Sequence, residues 1–347
     1  MPSKRVVPLL LLLTAVSASP VRADALPLFD DDAMLNLIID VPMKTLLKDA
    51  KDKPVLPGYL RYVDSSGSEV SIAIDITTRG KSRLEYCTFP PLSITLNRDQ
   101  VDSTLFAGQR KLKIGTHCRN GTKFLNYQEE EFGIYRAYNE LTPYSFRVRK
   151  LNITYRDSEG KRKDEVQPGF FIESDDEVAD RHGMVVIKSP SIRTNQLDPE
   201  QTNIFSLFQY LVANTDWSNK KGPEDEDCCH NGKVIGRAGT EENWIVLPYD
   251  FDQAGLINTD YALPARGLRI RSVRTRLYRG RCLFNDRLDD TIKLFNAQRS
   301  RIEADLVPQS LSSSGRKSSQ KYIEEFYSTI NDAQALREDI IGACLKG

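Results

Sequence analysis

The residue types best suited to chemistry gather in the second half of the chain, and they are carboxylates and amides rather than histidines. Asp216 follows a strongly apolar stretch, Asn231 precedes a short apolar segment, and Asp250 and Asp252 follow another with Phe251 between them. Such oxygen-bearing side chains suit a hard divalent cation such as magnesium, which takes one or two carboxylates and fills its shell with water and phosphate oxygens. Spacing alone is met equally well by a helix-end cap at Asp216 and a turn residue at Asp250. Other chemistries have little to draw on. The sequence holds no phosphate-binding G-x-x-x-x-G-K-[ST], no G-x-G-x-x-G, no H-E-x-x-H and no G-x-S-x-G. His117, His182 and His230 are its three histidines, too few for a multi-histidine metal site, and a nucleophilic triad has little choice of base.

The elements that must position these groups differ between the two halves. Val70, Ile72, Ile74 and Ile76 recur at every second residue, as do Leu92, Ile94 and Leu96, which predicts half-buried strands. Further strands are expected at Lys111 to Ile114, Phe146 to Tyr155 and Gly169 to Glu173, with a helix from about Tyr127 to Leu141. Ile204, Phe205, Leu207, Phe208, Leu211 and Val212 recur at helical spacing behind Asp198 and Thr202, either of which suits an N-cap. Short apolar segments follow at Val234 to Ile235 and Trp244 to Leu247. The chain reads as helical from about Asn285, with a Ser-rich break at Ser310 to Ser319. The expectation is an α+β chain: residues 24–66 as a leading segment, then a unit over 67–347 with a sheet-rich part to about 175 and a helix-rich part from 176.

The amino terminus carries Lys4 and Arg5, an apolar run from Val6 to Val16, then small residues to Ala23. That order predicts a cleavable secretory signal over residues 1–23 and a secreted or periplasmic protein. The apolar run is shorter than the roughly 20 residues a membrane span needs, so no transmembrane segment is expected in the mature chain. Cleavage would leave 45 basic against 48 acidic side chains, a net charge near −3. This balance gives no reason to expect nucleic acid as a partner. All six cysteines lie beyond residue 23, so disulfides are expected in an oxidising compartment. Adjacent Cys228 and Cys229 are expected to take two distant partners, tying their segment to Cys282 and Cys344, with Cys87 to Cys118 as the third bond. Zinc fits Cys228, Cys229 and His230 poorly, because adjacent ligands miss the usual C-x2-4-C spacing.

Helix, loop carboxylate, loop amide, strand and carboxylate is also the order in which protein kinases present their catalytic Asp and their two metal ligands. The segments Asn214-Thr215-Asp216-Trp217, His230-Asn231 and Pro248-Tyr249-Asp250-Phe251-Asp252 occur here in that order. With Arg79-Gly80-Lys81-Ser82 and Gly169-Phe170-Phe171-Ile172-Glu173 upstream, the set resembles the CotH-type spore-coat kinase family over roughly residues 70 to 285. The resemblance implies a two-lobed protein-kinase-like fold, sheet-rich then helix-rich, and an exported, ATP-dependent kinase using Mg2+ or Mn2+. It makes Asp216 the catalytic carboxylate, Asn231 and Asp250 metal ligands, and Asp252 a further carboxylate at the metal. Arg79 would cover phosphate, Glu173 would lead to the nucleotide-base hinge, and Lys113 would bind phosphate with an ion-pair partner from Glu129, Glu130 or Glu131, the middle one being the choice. A solvated charge run accounts for those three glutamates equally well.

The sequence departs from a kinase in separating Asp216 and Asn231 by 15 positions, with an acidic insert at Glu224 to Asp227, and in showing no glycine-rich loop. Arg271, Arg274, Arg276, Arg279 and Arg281 suit either an acidic or phosphorylated acceptor or an ordinary solvated surface. The leading expectation is phosphoryl transfer to a hydroxyl of a protein or cell-envelope component. The alternatives are nucleotidyl transfer on the same scaffold and an inactive kinase-like scaffold protein.

Overall fold

Branched residues at alternate positions, as the period-two pattern requires, line the inside of a barrel in the computed structural model, which describes residues 27–222, 224 and 226–346. The expected signal segment, residues 1–23, lies outside the described residues. The barrel strands are β1 (Leu35–Val41), β2 (Leu56–Val63), β3 (Glu69–Thr78), β4 (Leu92–Leu96), β5 (Lys111–Gly115), β6 (Val148–Asp157) and β7 (Glu165–Ile172). They close in the order β1-β2-β3-β4-β5-β7-β6. Neighbours run antiparallel except β1 and β6, which pair in parallel from Leu35 opposite Leu151 to Val41 opposite Asp157. Ile39, Leu60, Ile72, Ile94, Leu112 and Ile153 are fully buried inside.

Short helices α1 (Met43–Lys48) and α2 (Ser82–Tyr86) sit between barrel strands, and the longer α3 (Thr122–Asn139) between β5 and β6. The chain continues through α4 (Asp175–Arg181), β8 (Val185–Val186), α5 (Pro199–Leu211), β9 (Gly232–Gly236), β10 (Ile245–Pro248), α6 (Leu288–Leu306) and α7 (Ser313–Asn331). Strands β10, β9 and β8 form a separate antiparallel sheet. A second core joins α3, α5, α6 and α7 through Ile134, Phe208, Leu211, Phe295, Ile323 and Phe326. Gly133 lets α3 close against α6, because a Cβ there would strike the Asp305 carbonyl. Among the described residues no helix is long and apolar enough to cross a membrane.

The chain is α+β, but it does not adopt the two-lobed protein-kinase-like fold. Residues expected as a leading segment supply β1 and β2, and the free edge of β1 is taken by β6, so the strands close on themselves. Closure removes unpaired edges that an open sheet must leave. The predicted strands at 70–76, 92–96, 111–114, 146–155 and 169–173 are all present near their expected positions, as is the helix over 198–212.

The disulfides also differ from expectation. Cys87 pairs with Cys118 as predicted, while Cys228 pairs with Cys229 and Cys282 with Cys344. Backbone bonds from Cys282 N to the Leu345 carbonyl (3.1 Å) and from Leu345 N to the Gly280 carbonyl (2.8 Å) lay the carboxy-terminal tail beside Cys282 and bring Cys344 to it.

Candidate functional site

Helix α5 starts at the Asp198 carboxylate, which accepts from Gln201 N (2.8 Å), with Pro199 in the first turn. It ends where Ala213 takes a left-handed conformation (φ 49°). The following loop is held by Asn214, whose Oδ1 accepts from Asp216 N (3.0 Å) and whose carbonyl accepts from Trp217 Nε1 (2.9 Å). Trp217 is buried edge-on against Phe205, which leaves the Asp216 side chain at the surface, 30% exposed. Arg279 clamps the same loop by donating to the Thr215 and Trp217 carbonyls (2.6 and 2.8 Å).

Asn231, just before β9, lies in the left-handed region (φ 47°). Its amide nitrogen donates to the Asp216 carbonyl (2.7 Å) and carboxylate (2.9 Å), and His230 Nε2 lies 2.8 Å from the other Asp216 oxygen. The Asp216 carboxylate is the main influence holding the imidazolium of His230 above its ordinary pKa. Tyr249 N donates to the Asn231 carbonyl (3.1 Å), so the end of β10 is tied to the same turn. Asp250, next along, is also left-handed (φ 61°), and its N–H donates to Tyr135 Oη of α3 (3.0 Å). Asn and Asp tolerate the left-handed region better than other non-glycine residues, which suits both to these tight turns.

Phe251 is fully buried against Tyr135 and Phe208. Asp250 and Asp252, one residue to either side, both reach Arg83 of α2. Arg83 also makes a two-armed pair with Glu131 of α3 (2.9 and 3.3 Å). One buried guanidinium therefore faces three carboxylates. Burial opposes its charge, and those carboxylates more than offset this, so it stays cationic. Burial pushes the Asp252 carboxyl above its usual range, helped by the negative charge of Asp250, Glu131 and Asp216, while Arg83 opposes.

Beside this cluster, Lys113 of β5 lies over the Tyr249 ring (4.7 Å from its centre) and 3.5 Å from Asp175 at the start of α4. Burial lowers its pKa, partly offset by Asp175. Arg79 donates to Tyr249 Oη (2.6 Å) and to the Leu92 carbonyl (3.2 Å).

Arg79, Lys113, Asp216, Asn231, Asp250 and Asp252 thus share one neighbourhood. Glu130 and Glu173 do not join it. Glu130 turns to the opposite side of α3, where burial raises its carboxyl to about 8 against the partial offset of Arg274 and Ser319. The partner of Lys113 is Asp175, and the glutamate facing the cluster is Glu131. Glu130 and Glu131 are neighbours on a helix and point about 100° apart, as 3.6 residues per turn requires. Glu173 is fully buried, with both oxygens taken by Arg147 and Arg181 (3.0 to 3.2 Å). The arginines after the Asp250 block also differ from a docking patch: Arg274 and Arg279 donate to loop carbonyls, Arg276 to the carbonyls of Leu211 in α5 and Tyr322 in α7, and Arg281 to Asn219, leaving Arg271 exposed.

Arg83 and Asp175 were not named by sequence; Glu131 was an alternative to Glu130, and His230 and Tyr249 appeared only within the resembling blocks, without a role at the site. Glu131 was recoverable, since Tyr127, Glu131 and Tyr135 fall on one helical face; a lone arginine at Arg83 carried no such signal.

A cavity of about 890 Å³ lies elsewhere, on the outer barrel wall by Asp40, Tyr59, Asn97 and Arg156. Arg61 there pairs with Asp40 and Arg156 with Asp164. Its charges are thus mostly matched, whereas the cluster holds more carboxylate than cation. We therefore take the cluster, rather than the larger cavity, as the candidate site. No family model matches this chain, and no curated protein is similar enough to it to count as a match.

Proposed function

We propose that this chain is an exported, metal-dependent phosphotransferase that moves the γ-phosphoryl group of ATP to a hydroxyl of a protein or cell-envelope component. The proposal rests on the site and on the resemblance of its sequence blocks to the CotH-type kinases, not on a kinase-like fold. The observation that carries it is that Asp252 lies close enough to feel the charge of Asp250 and of Asp216, which Asn231 holds, and that Lys113 feels the charge of both Asp250 and Arg79. Phosphoryl transfer asks mainly for positioning and charge neutralisation, and this set supplies both.

The residues fit a hard cation on two counts. Asp252 Oδ2 is buried without a hydrogen bond, and the amide nitrogen of Asn231 serves Asp216, so the amide oxygen is the atom it would offer a cation. A magnesium or manganese ion held by Asp250, Asp252 and Asn231 would neutralise phosphate charge. Lys113 and Arg79 add fixed positive charge for the triphosphate. Asp216, exposed and oriented by Asn231 and His230, accepts the proton of the acceptor hydroxyl as its oxygen bonds to the γ-phosphorus and the bond to the departing ADP oxygen breaks. One observation favours an inactive scaffold instead: Arg83 already occupies the middle of the carboxylates.

The test uses the purified protein with labelled ATP and Mg2+ or Mn2+, resolving products by mass. Asp216→Asn is expected to leave nucleotide affinity nearly intact and lower turnover by about 10² to 10⁴, the range for losing a positioned base. Asp250→Asn is expected to weaken metal-dependent nucleotide binding, since a neutral amide is a poorer ligand for a hard dication. Transfer of AMP rather than phosphate would indicate nucleotidyl transfer, and turnover unchanged by either substitution would refute the assignment of the site.

A further inference from the structure

Arg83 sits on a short arm of distinct construction. Gly80 at its start is left-handed (φ 94°), a conformation that favours glycine. Cys87 at its end is bonded to Cys118. The arginine side chain of the arm is 7% exposed and is shared among Glu131 (6% exposed), Asp250 (27%) and Asp252 (5%). Three carboxylates thus share one guanidinium, while Lys113 beside them pairs with Asp175. Asp252 Oδ2 lies 3.2 Å from Arg83 Nε but is not aligned to accept its proton, and it has no hydrogen-bond partner. Among the described residues no group of three or more His, Cys, Asp and Glu side chains, this cluster included, is arranged to hold an ion.

We propose that Arg83 is a built-in counter-ion that competes with a divalent cation for Asp250, Asp252 and Glu131, so that the chain holds its own metal site closed until the cation displaces the guanidinium. This rests on the metal-dependent reading given above, and it adds that the closed state is made by the protein itself. A buried charge cluster loses most when one partner is removed and the others are left uncompensated. Taking Arg83 away should therefore weaken the metal-free protein and strengthen its hold on a cation in the same step. Competition between a cation and the resident guanidinium for the same carboxylate oxygens predicts this opposite movement. A merely structural arginine predicts loss of stability alone.

The experiment measures Mn2+ binding by the loss of free-ion electron paramagnetic resonance signal, and thermal unfolding with and without Mn2+, for the full chain and for Arg83→Gln and Arg83→Lys. Without metal, Arg83→Gln is expected to lower Tm by on the order of 5 °C, and saturating Mn2+ is expected to restore most of that loss. Its Mn2+ affinity should rise at least about tenfold over the parent, about 1.4 kcal/mol by the usual conversion. Arg83→Lys keeps the charge but loses the two-armed fork, so its affinity should lie between the two, and it serves if the glutamine variant does not fold. Equal Mn2+ affinity in all three proteins, or weaker binding in the variants, would overturn the competition while leaving metal dependence standing. No Mn2+ binding in any of them would instead remove the metal-dependent reading itself, and this inference with it.

Discussion

Within the candidate site, neighbouring residues of one type have parted ways. Glu130 and Glu131 are adjacent, yet Glu131 pairs with Arg83 while Glu130 is buried against the α7 side, its carboxyl raised to about 8. The folded protein therefore keeps the Glu130 proton through neutral pH, whereas the unfolded chain releases it near the ordinary glutamate value. Between that value and about 8 the unfolded state binds fewer protons, so the stability owed to this group falls as pH rises. Glu130→Gln removes the dependence: urea denaturation of parent and variant should show the parent losing ground to the variant between pH 5 and pH 8, and parallel changes would contradict it. What the sequence made legible at this scale were the groups whose type is itself the signal, namely Asp216, Asn231, Asp250 and Asp252. Arg83 was not legible, because its role comes from three carboxylates brought to it from α3 and the turn after β10, and nothing in its neighbours announces them. Choosing Glu130 over Glu131 failed for a simpler reason: the two differ only in helical phase, and Tyr127 and Tyr135 carried that phase.

At the scale of elements, local periodicity was a sound guide and long-range pairing was not. The alternation of β3 and β4 and the helical spacing of α5 are properties of a few consecutive residues, and each element stands close to where it was expected. The parallel pairing of β1 with β6 joins segments more than a hundred residues apart, and no pattern within either strand specifies its neighbour. Disulfide pairing belongs to the same class. Cys87 and Cys118 were expected to pair only as the third bond beside those given to Cys228 and Cys229, whereas Cys282 met Cys344 through tail contacts that only the fold supplies. The Cys87–Cys118 bond spans 31 residues, and loop-closure entropy assigns it a contribution of about 3.7 kcal/mol. Replacing both cysteines by Ala should lower the unfolding free energy by that order in chemical denaturation. A loss well under 1 kcal/mol would mean that the α2 arm is held by other contacts.

For the molecule as a whole, the proposed site does not require the expected fold. The chain closes its first seven strands into a barrel and builds a helical core beside it, and the residues of the proposed site lie where the two adjoin. Function is carried by a handful of side chains rather than by the topology that delivers them, so the phosphotransferase proposal stands or falls on those residues. Barrel closure is what the kinase-like expectation missed, and it was missed because residues 35–63 were read as a leading segment rather than as two strands. The most direct test of the account is diffraction from crystals grown with Mn2+ and a non-hydrolysable ATP analogue, using the anomalous signal of manganese. The account predicts a manganese peak within about 2.0 to 2.4 Å of an Asp250 carboxylate oxygen, with Asp252 or the Asn231 amide oxygen completing the protein ligands, Arg83 moved away and the triphosphate against Lys113. A well-ordered nucleotide in the cavity on the barrel wall, or manganese bound with Asp250 still paired to Arg83, would contradict it.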